Sequence, residues 1–161
     1  MSTSPLHTPI IIGCDHAAYP LKEKVKLHLT KKAIDMEDVG TDSEISVDYS
    51  HFGAKVAAQV STGRFDRGIL LCGTGLGMSM VANKFPHVRA ALCNDLFSAI
   101  MSRRHNDANI LVMGGRVIGE ALAVEIVNAW LETPFEGGRH QERIDHFESF
   151  ERIEQRLEGK I

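Results

Sequence analysis

A cysteine lies beside a glycine-rich turn near the middle of the chain. Residues 70–77 read Leu-Leu-Cys-Gly-Thr-Gly-Leu-Gly, and the apolar run before Cys72 is typical of a buried strand. The pattern that follows predicts a helix from Met78 to Phe85, so the thiol should stand between a strand end and a helix amino end. Backbone N–H groups at a helix amino end favour anions and raise the thiolate fraction of a cysteine. The segment therefore indicates a nucleophile or a base beside an anion-binding turn.

Strands and helices alternate along the whole sequence. Short apolar runs predict strands at residues 10–14, 36–39, 68–71, 88–92 and 110–113. Helical patterns cover residues 20–32, 49–60, 78–85, 96–104 and 120–131, and another helix is expected after Gly137. The alternation predicts an α/β fold, a single Rossmann-like three-layer domain over residues 1–161. Its five-stranded parallel sheet is expected in the order 2-1-3-4-5, with a C-terminal helical extension at about residues 144–161.

This fold also predicts where a ligand binds. Open parallel sheets bind ligands beyond the carboxyl ends of the strands, at the point where the strand order reverses. In the expected order, that crevice lies between the first and third strands, which end in Cys14-Asp15-His16 and Cys72-Gly73-Thr74. The fold and the glycine-rich motif therefore indicate the same place.

Composition and charge narrow the function classes. The chain has 161 residues, of which 43% are hydrophobic and 24% charged, as in soluble globular proteins. A net charge of −3 gives no support for a nucleic-acid or membrane partner, and no apolar run approaches a bilayer span. The first nine residues lack the features of a signal peptide, and three widely spaced cysteines do not form a disulfide framework. We expect a cytoplasmic protein with reduced thiols.

Five motifs carry a resemblance to a known family. They are Gly-Cys-Asp-His-Ala-Ala-Tyr at 13–19, Cys-Gly-Thr-Gly-Leu-Gly at 72–77, Ala-Asn-Lys-Phe at 82–85, Arg-His-Asn-Asp at 104–107 and Gly-Gly-Arg-His-Gln at 137–141. In order and spacing, residues from about 10 to 143 resemble the type B ribose-5-phosphate isomerases of the ribose/galactose isomerase family. The resemblance implies interconversion of D-ribose 5-phosphate and D-ribulose 5-phosphate in the pentose phosphate pathway. The furanose ring opens, and a proton then moves between C2 and C1 through a cis-enediolate, with no metal and no organic cofactor.

The resemblance also implies catalytic roles. Cys72 is the expected base for the carbon-bound proton, because a helix amino end brings a thiol pKa towards the working pH. His105 is expected to open the sugar ring, and Thr74 to hydrogen-bond the sugar oxygens. One branch of the family uses a glutamate later in the turn; Met78 occupies that place here, which groups this chain with the cysteine users.

The remaining implied residues bind the substrate. Backbone N–H groups of the glycine turn should stabilise the enediolate oxygen, and arginines four positions apart on a helix should share the 5-phosphate. Asp15 and Asp48 are also placed to cap helices, and both readings stay open. The full implied set is Asp15, His16, Asp48, Tyr49, Gly73, Gly75, Gly77, Asn106, Arg116, Arg139 and Arg143.

The resemblance implies a homodimer or a dimer of dimers with its site at the subunit interface. Some of His105, Asn106 and Arg116 are then expected to reach the site from the partner chain. Apolar residues Phe147, Phe150, Ile153 and Leu157 lie three and four apart, so the tail is expected to form an amphipathic helix that adds an interface contact.

The sequence leaves other functions open. The nearest is a sister activity, isomerisation of allose 6-phosphate or galactose 6-phosphate, and a non-catalytic phosphosugar-binding protein on the same fold is another. Thiol redox chemistry between Cys14 and Cys72 has no C-x-x-C motif to support it. A metal site is not expected, because the eight histidines include no H-x-H or H-x-x-x-H pair.

Overall fold

The computed structural model describes residues 9–158, with side chains as far as residue 150. Five strands and six helices alternate along these residues. In chain order they are β1 (Ile10–Cys14), α1 (Tyr19–Lys31), β2 (Met36–Asp38), α2 (Tyr49–Ser61), β3 (Gly68–Cys72), α3 (Leu76–Ala82), β4 (Ala90–Leu92), α4 (Leu96–Asn106), β5 (Ile110–Gly114), α5 (Glu120–Glu132) and α6 (Arg139–Glu158). A short 3-10 turn, His16–Ala18, joins β1 to α1.

All the strand pairs are parallel, and the sheet has the order β2-β1-β3-β5-β4. The α/β class is confirmed, but the predicted order of the last two strands is wrong. The reason lies in burial: all five residues of β5 are buried, whereas β4 has three partly exposed residues and occupies the edge. The carboxamide of Asn83 covers that edge, since it donates to Ala90 O and accepts from Ala90 N–H, each at 2.9 Å. The exchange of β4 and β5 does not change the point between β1 and β3 at which the strand order reverses.

The core forms two layers, one on each face of the sheet. Side chains alternate along a strand, so Ile10, Ile12 and Cys14 of β1 pack with α1 and α5 on one face. Ile11 points to the opposite face, where Val56 and Met78 bring in α2 and α3. Two buried apolar layers around a parallel sheet are the expected three-layer arrangement.

Two helix boundaries differ from the predictions in ways that affect the site. Helix α3 is expected from Met78 to Phe85 but runs Leu76–Ala82, because Gly75, at φ 82°, lets it begin directly after the glycine turn. Helix α4 extends past Arg104 to Asn106 and ends at Asp107, which has φ 45°. His105 and Asn106 therefore belong to the last turn of a helix.

A buried lysine holds the carboxyl end of β2 in place. Lys22 is 1% exposed, and its Nζ donates to Thr41 O at 2.6 Å and lies 2.8 Å from the Asp38 carboxylate. Lys26 approaches the same carboxylate at 2.8 Å. Although burial alone would raise the pKa of Asp38, hydrogen bonds from Lys22 and Lys26 outweigh it and lower that pKa. The network fixes the start of the loop that precedes α2.

The C-terminal helix packs against its own chain. Arg89, just before β4, contacts the Glu148 carboxylate at 2.6 Å, and Ile144 is 3% exposed. The expected apolar positions Ile153 and Leu157 lie outside the described side chains. Among the described residues, no helix is long and apolar enough to cross a lipid bilayer.

Candidate active site

The predicted thiol stands at the edge where the strands end, called here the carboxyl edge. Cys72 is the last residue of β3 and is 5% exposed. Its Sγ accepts the Gly75 N–H at 3.2 Å, a contact that the positive φ of Gly75 permits. A Cβ on Gly75 would collide with Leu92 Cδ1, and the positive φ strains any other residue, so this position accepts no side chain. The sulfur of Cys72 is therefore held by a backbone donor directly before the first turn of α3.

Asp15 and His16 lie at the neighbouring end of β1. The Asp15 N–H donates to Leu71 O at 3.2 Å, and its carboxylate accepts the Ala17 N–H at 3.0 Å, so the capping reading holds. Asp15 is 6% exposed. The Nδ1 of His16 accepts the Val47 N–H at 3.2 Å, which leaves Nε2 to carry the proton of the neutral ring. This contact ties the loop before α2 to the site.

The loop before α2 brings Tyr49 against the glycine turn. A Cβ on Gly77 would lie 2.5 Å from Tyr49 Cε2, so glycine is needed for the ring to pack there. Asp48 caps α2 and accepts from both the N–H and the hydroxyl of Ser50 at 2.8 Å. These two hydrogen bonds lower the pKa of Asp48. Its carboxylate is thus ionised and already engaged in the cap.

The loop after β5 adds Arg116 to the same edge. Gly115 N–H donates to Cys72 O at 2.8 Å and Arg116 N–H to Gly73 O at 2.9 Å. A Cβ on Gly73 would lie 3.6 Å from Arg116 Cδ, so the arginine stem crosses the turn directly. Thr74 is exposed, and its Oγ1 accepts the Leu76 N–H at 3.3 Å. An anionic group at this edge would meet both the guanidinium and the first N–H groups of α3.

The other predicted residues lie at the opposite edge, where the strands begin, called here the amino edge. Cys72 pairs with Gly114 at the end of β5, whereas His105 and Asn106 close α4 just before β5 starts at Ile110. A strand of that length separates the two edges by roughly 13 Å or more. Within one chain, the structure therefore divides the predicted residues into two groups. The carboxyl-edge group is Asp15, His16, Asp48, Tyr49, Cys72, Gly73, Thr74, Gly75, Gly77 and Arg116; the amino-edge group is His105, Asn106, Arg139 and Arg143.

The amino-edge group includes a contact that no sequence pattern predicts. The rings of His105 and His140 stack with centroids 4.2 Å apart and planes 10° apart. Glu136 Oε2 lies 3.9 Å from His105 Nε2 and 3.7 Å from His140 Nε2. Glu136 was not predicted at all, and its only sequence signal is its place beside the Gly137-Gly138-Arg139-His140 motif.

The two remaining cysteines differ from Cys72 in their surroundings. Burial raises the pKa of Cys14 to about 12 and that of Cys93 to about 11. All three cysteines are free. Cys14 and Cys93 are therefore protonated near neutral pH and act as small core residues.

A cavity of about 560 Å³ opens at the amino edge but does not contain the predicted catalytic residues. Its charged lining is largely neutralised internally: Arg89 and Arg103 lie 3.3 and 2.8 Å from the Asp107 carboxylate. The chemistry-bearing groups lie instead on the open carboxyl edge and around the His105–His140 stack.

A doubly wound α/β sheet with a thiol that accepts a backbone N–H and a cation at its reversal point is an arrangement suited to a small anionic substrate. A model of the ribose/galactose isomerase family matches residues 10–147. Ribose-5-phosphate isomerase B of Escherichia coli is 47% identical over 147 residues, which are 91% of this chain and 97% of that protein. The chain belongs to the ribose/galactose isomerase family and is an isomerase.

Two further relatives extend the comparison. A solved structure of ribose-5-phosphate isomerase B from Clostridium thermocellum superposes with a TM-score of 0.88 at 49% identity, covering 90% of this chain and 98% of that one. A D-erythrulose-4-phosphate isomerase of Pectobacterium atrosepticum is 40% identical over 147 residues, 90% of this chain and 96% of that protein. The family thus includes enzymes named for different sugar phosphates.

Proposed function

We propose that this protein interconverts D-ribose 5-phosphate and D-ribulose 5-phosphate. The observation that carries the proposal is the Cys72 thiol at the end of β3, which accepts the Gly75 N–H and lies under the Arg116 loop. The 47% identity to a ribose-5-phosphate isomerase B over nearly the full length of both chains supports the same substrate. The reaction belongs to the pentose phosphate pathway, and we place it in the cytoplasm.

The proposed proton transfer uses the carboxyl-edge group. The Cys72 thiolate takes the proton from C2 of the open-chain aldose, the electron pair of that C–H bond forms the C1–C2 double bond, and the π pair of the C1 carbonyl moves onto O1, which gives an enediolate. The Cys72 thiol then returns the proton to C1, while the proton of the C2 hydroxyl passes to O1 and C2 becomes the carbonyl carbon of the ketose. Apart from the Leu76 N–H, which donates to Thr74 Oγ1, the first N–H groups of α3 have no acceptor within the helix, so they are available to the enediolate oxygen. No cofactor takes part in this scheme.

Ring opening and phosphate binding require the amino-edge group. His105 transfers a proton to the ring oxygen, Asn106 orients the open chain, and Arg139 and Arg143 bind the 5-phosphate together with His16 and Arg116. Because one chain holds these residues at opposite edges, we propose a homodimer, or a dimer of dimers, in which the amino edge of one copy faces the carboxyl edge of the other.

The surface around the carboxyl edge supports such pairing. Leu76 and Met80 on α3 are 51% and 66% exposed, and Phe97 at the start of α4 is 72% exposed. Leu96 and Val117, which also follow strand ends at the carboxyl edge, are 40% and 54% exposed. Several large apolar side chains exposed on neighbouring elements are typical of surfaces that a partner covers.

The test is an isomerisation assay from ribose 5-phosphate with a metal chelator present. Chelator-resistant formation of ribulose 5-phosphate is expected, and its absence in correctly folded protein would contradict the proposal. The same assay with allose 6-phosphate and galactose 6-phosphate tests the six-carbon alternatives. Conversion of D-erythrulose 4-phosphate is the second candidate, which the Pectobacterium relative favours. The substrate with the highest kcat/KM decides between them.

A further inference from the structure

His105 contacts a ring and a carboxylate for which the proposed reaction gives no role. His140 is almost buried, with 8% of its side chain exposed, while 40% of the His105 side chain is exposed. The two rings are nearly parallel at 4.2 Å, so the buried ring forms a platform under the exposed one. Both Nε2 atoms lie within 4.0 Å of the same Glu136 oxygen.

The geometry of this cluster differs from that of a metal site. The donor atoms of His105, Glu136 and His140 lie within 4.8 Å of one another. However, two imidazoles that share an ion direct their lone pairs to a common point, in a tetrahedral arrangement for zinc. Parallel stacked rings direct their lone pairs side by side, so this arrangement fixes a ring plane instead of enclosing a cation.

The backbone holds the platform firmly against α4. Glu136 N–H donates to Arg104 O at 3.1 Å, which joins the segment before α6 to the last turn of α4. Gly137 and Gly138 have φ of 64° and 54°, and His140 N–H donates to Gly137 O at 3.1 Å. This tight turn places His140 and Glu136 together, on the two sides of the glycine pair.

Burial and the surrounding charges act on the inner ring, that of His140. The charged groups that face the pair are Glu136, Arg104, Arg139 and Arg143. Burial first, and then the positive charges of His105 and Arg139, lower the pKa of His140. His140 is thus neutral near neutral pH, and the Glu136 carboxylate can support a positive charge on His105.

We propose that His140 and Glu136 are positioning residues for His105. The His140 ring fixes the plane of His105 by stacking, and the Glu136 carboxylate stabilises the imidazolium form of His105, which gives its proton to the ring oxygen as the bond between C1 and that oxygen breaks. This inference rests on the proposed role of His105 in ring opening. It assigns to the Gly-Gly-Arg-His segment a task besides phosphate binding.

The first test measures the pKa of His105 directly by NMR titration of the ring protons. The signal is assigned by its loss in His105→Ala. Replacing Glu136 by Gln keeps the size of the side chain and removes its charge, so the pKa of His105 is expected to fall by about half a unit to one unit. An unchanged pKa would overturn the role of Glu136. The NMR titration does not depend on catalysis, so it tests the role of Glu136 even if the protein does not isomerise ribose 5-phosphate.

The second test separates ring opening from proton transfer at carbon. Ribulose 5-phosphate is open-chain, so exchange of its C1 proton with deuterium oxide requires the enediolate step alone. His140→Ala is expected to lower kcat from ribose 5-phosphate by about tenfold and to leave this exchange nearly unchanged. His140→Phe keeps a flat ring and is expected to restore most of the kcat.

The outcomes of the second test are distinguishable. An equal loss of turnover and of exchange in His140→Ala would indicate general damage and overturn the positioning role, as would a kcat equal to that of the wild type. His146→Ala, an exposed histidine on the same helix, is the matched control and should change neither reaction. Full ribose 5-phosphate turnover in His105→Ala would refute the role of His105 in ring opening, whereas no turnover in the folded wild-type protein would refute the proposed function.

Discussion

Cys72 is the residue on which the proposed chemistry depends. It combines low exposure with a backbone N–H aimed at its sulfur, while Cys14 and Cys93 are enclosed thiols with raised pKa values. Cys72→Ala is expected to lower kcat by about 10²- to 10⁴-fold, the range for loss of a positioned base. The Cys72→Ala variant should still fold and should keep its affinity for the sugar phosphate.

Cys93→Ala is the matched control for this substitution, because Cys93 is a buried cysteine outside the site. It should keep its kcat and lose only a little stability. Near-normal turnover of Cys72→Ala, measured by ribulose 5-phosphate formation, would rule out the thiol as the base.

Gly77 tests the position of the Tyr49 ring. A Cβ at this position would meet Tyr49 Cε2 at 2.5 Å, so Gly77→Ala is expected to displace the ring and lower kcat/KM by about tenfold. In the Tyr49→Ala variant, adding Gly77→Ala should lower kcat/KM only slightly further, because the ring that would clash is absent. Gly119→Ala, where a Cβ meets nothing within 4 Å, serves as the control. Equal losses in both backgrounds would show that the ring is not involved.

At the scale of elements, the last turn of α4 decides where His105 lies. The extension of α4 to Asn106 puts His105 on a helix, where Arg103 Nη1 donates to Ala108 O at 2.7 Å and secures the turn that follows. Apolar spacing predicted the helix but not its end. The end depends on Asp107, whose positive φ is supported by contacts from Arg103.

The Lys22–Asp38 pair joins α1 to β2 and gives a pH-dependent prediction. Lys22→Met should lower the free energy of unfolding by about 2 to 3 kcal/mol at neutral pH. This loss is smaller than is usual for breaking a buried ion pair, because Lys26 still pairs with Asp38 in the variant. The pKa of Asp38 is lowered in the fold, so its contribution is present above its ordinary pKa and disappears as the pH falls through the folded value. The difference between wild type and variant should therefore shrink below about pH 4.

Urea unfolding at several pH values measures this difference. Lys24→Met is the control, because Lys24 and Glu120 are each more than half exposed and such pairs contribute less than about 1 kcal/mol. A Lys22→Met loss that stays constant down to acid pH would mean that the ion pair is not its cause.

At the scale of the whole molecule, the two groups of site residues predict complementation between chains. Cys72→Ala and His105→Ala should each be inactive as homodimers. In a mixed dimer, one site receives Cys72 from one chain and His105 from the other. Random mixing of the two variants should then restore about a quarter of the wild-type sites.

Activity after unfolding and refolding the two variants together provides the measurement. Each variant refolded alone is the control, and it should stay inactive. If the mixture also stays inactive although mixed dimers form, Cys72 and His105 do not act in one shared site.

Sequence by itself determined the α/β class, the order of strands and helices along the chain, and the reversal point between β1 and β3, although not where α3 begins or where α4 ends. These follow from local patterns: apolar runs set strands, and glycine turns set their ends. The same patterns placed Asp15, His16, Cys72 and the glycine turn at one edge of the sheet, because parallel strands end together.

Only the tertiary structure decided the rest. The exchange of β4 and β5 depends on how completely each strand is buried between neighbours, which no local pattern measures. The division of the site between two edges depends on the direction in which α4 returns to the sheet. The His105–Glu136–His140 cluster joins distant parts of the chain, and contacts of that kind exist only after packing has brought α4 and α6 together.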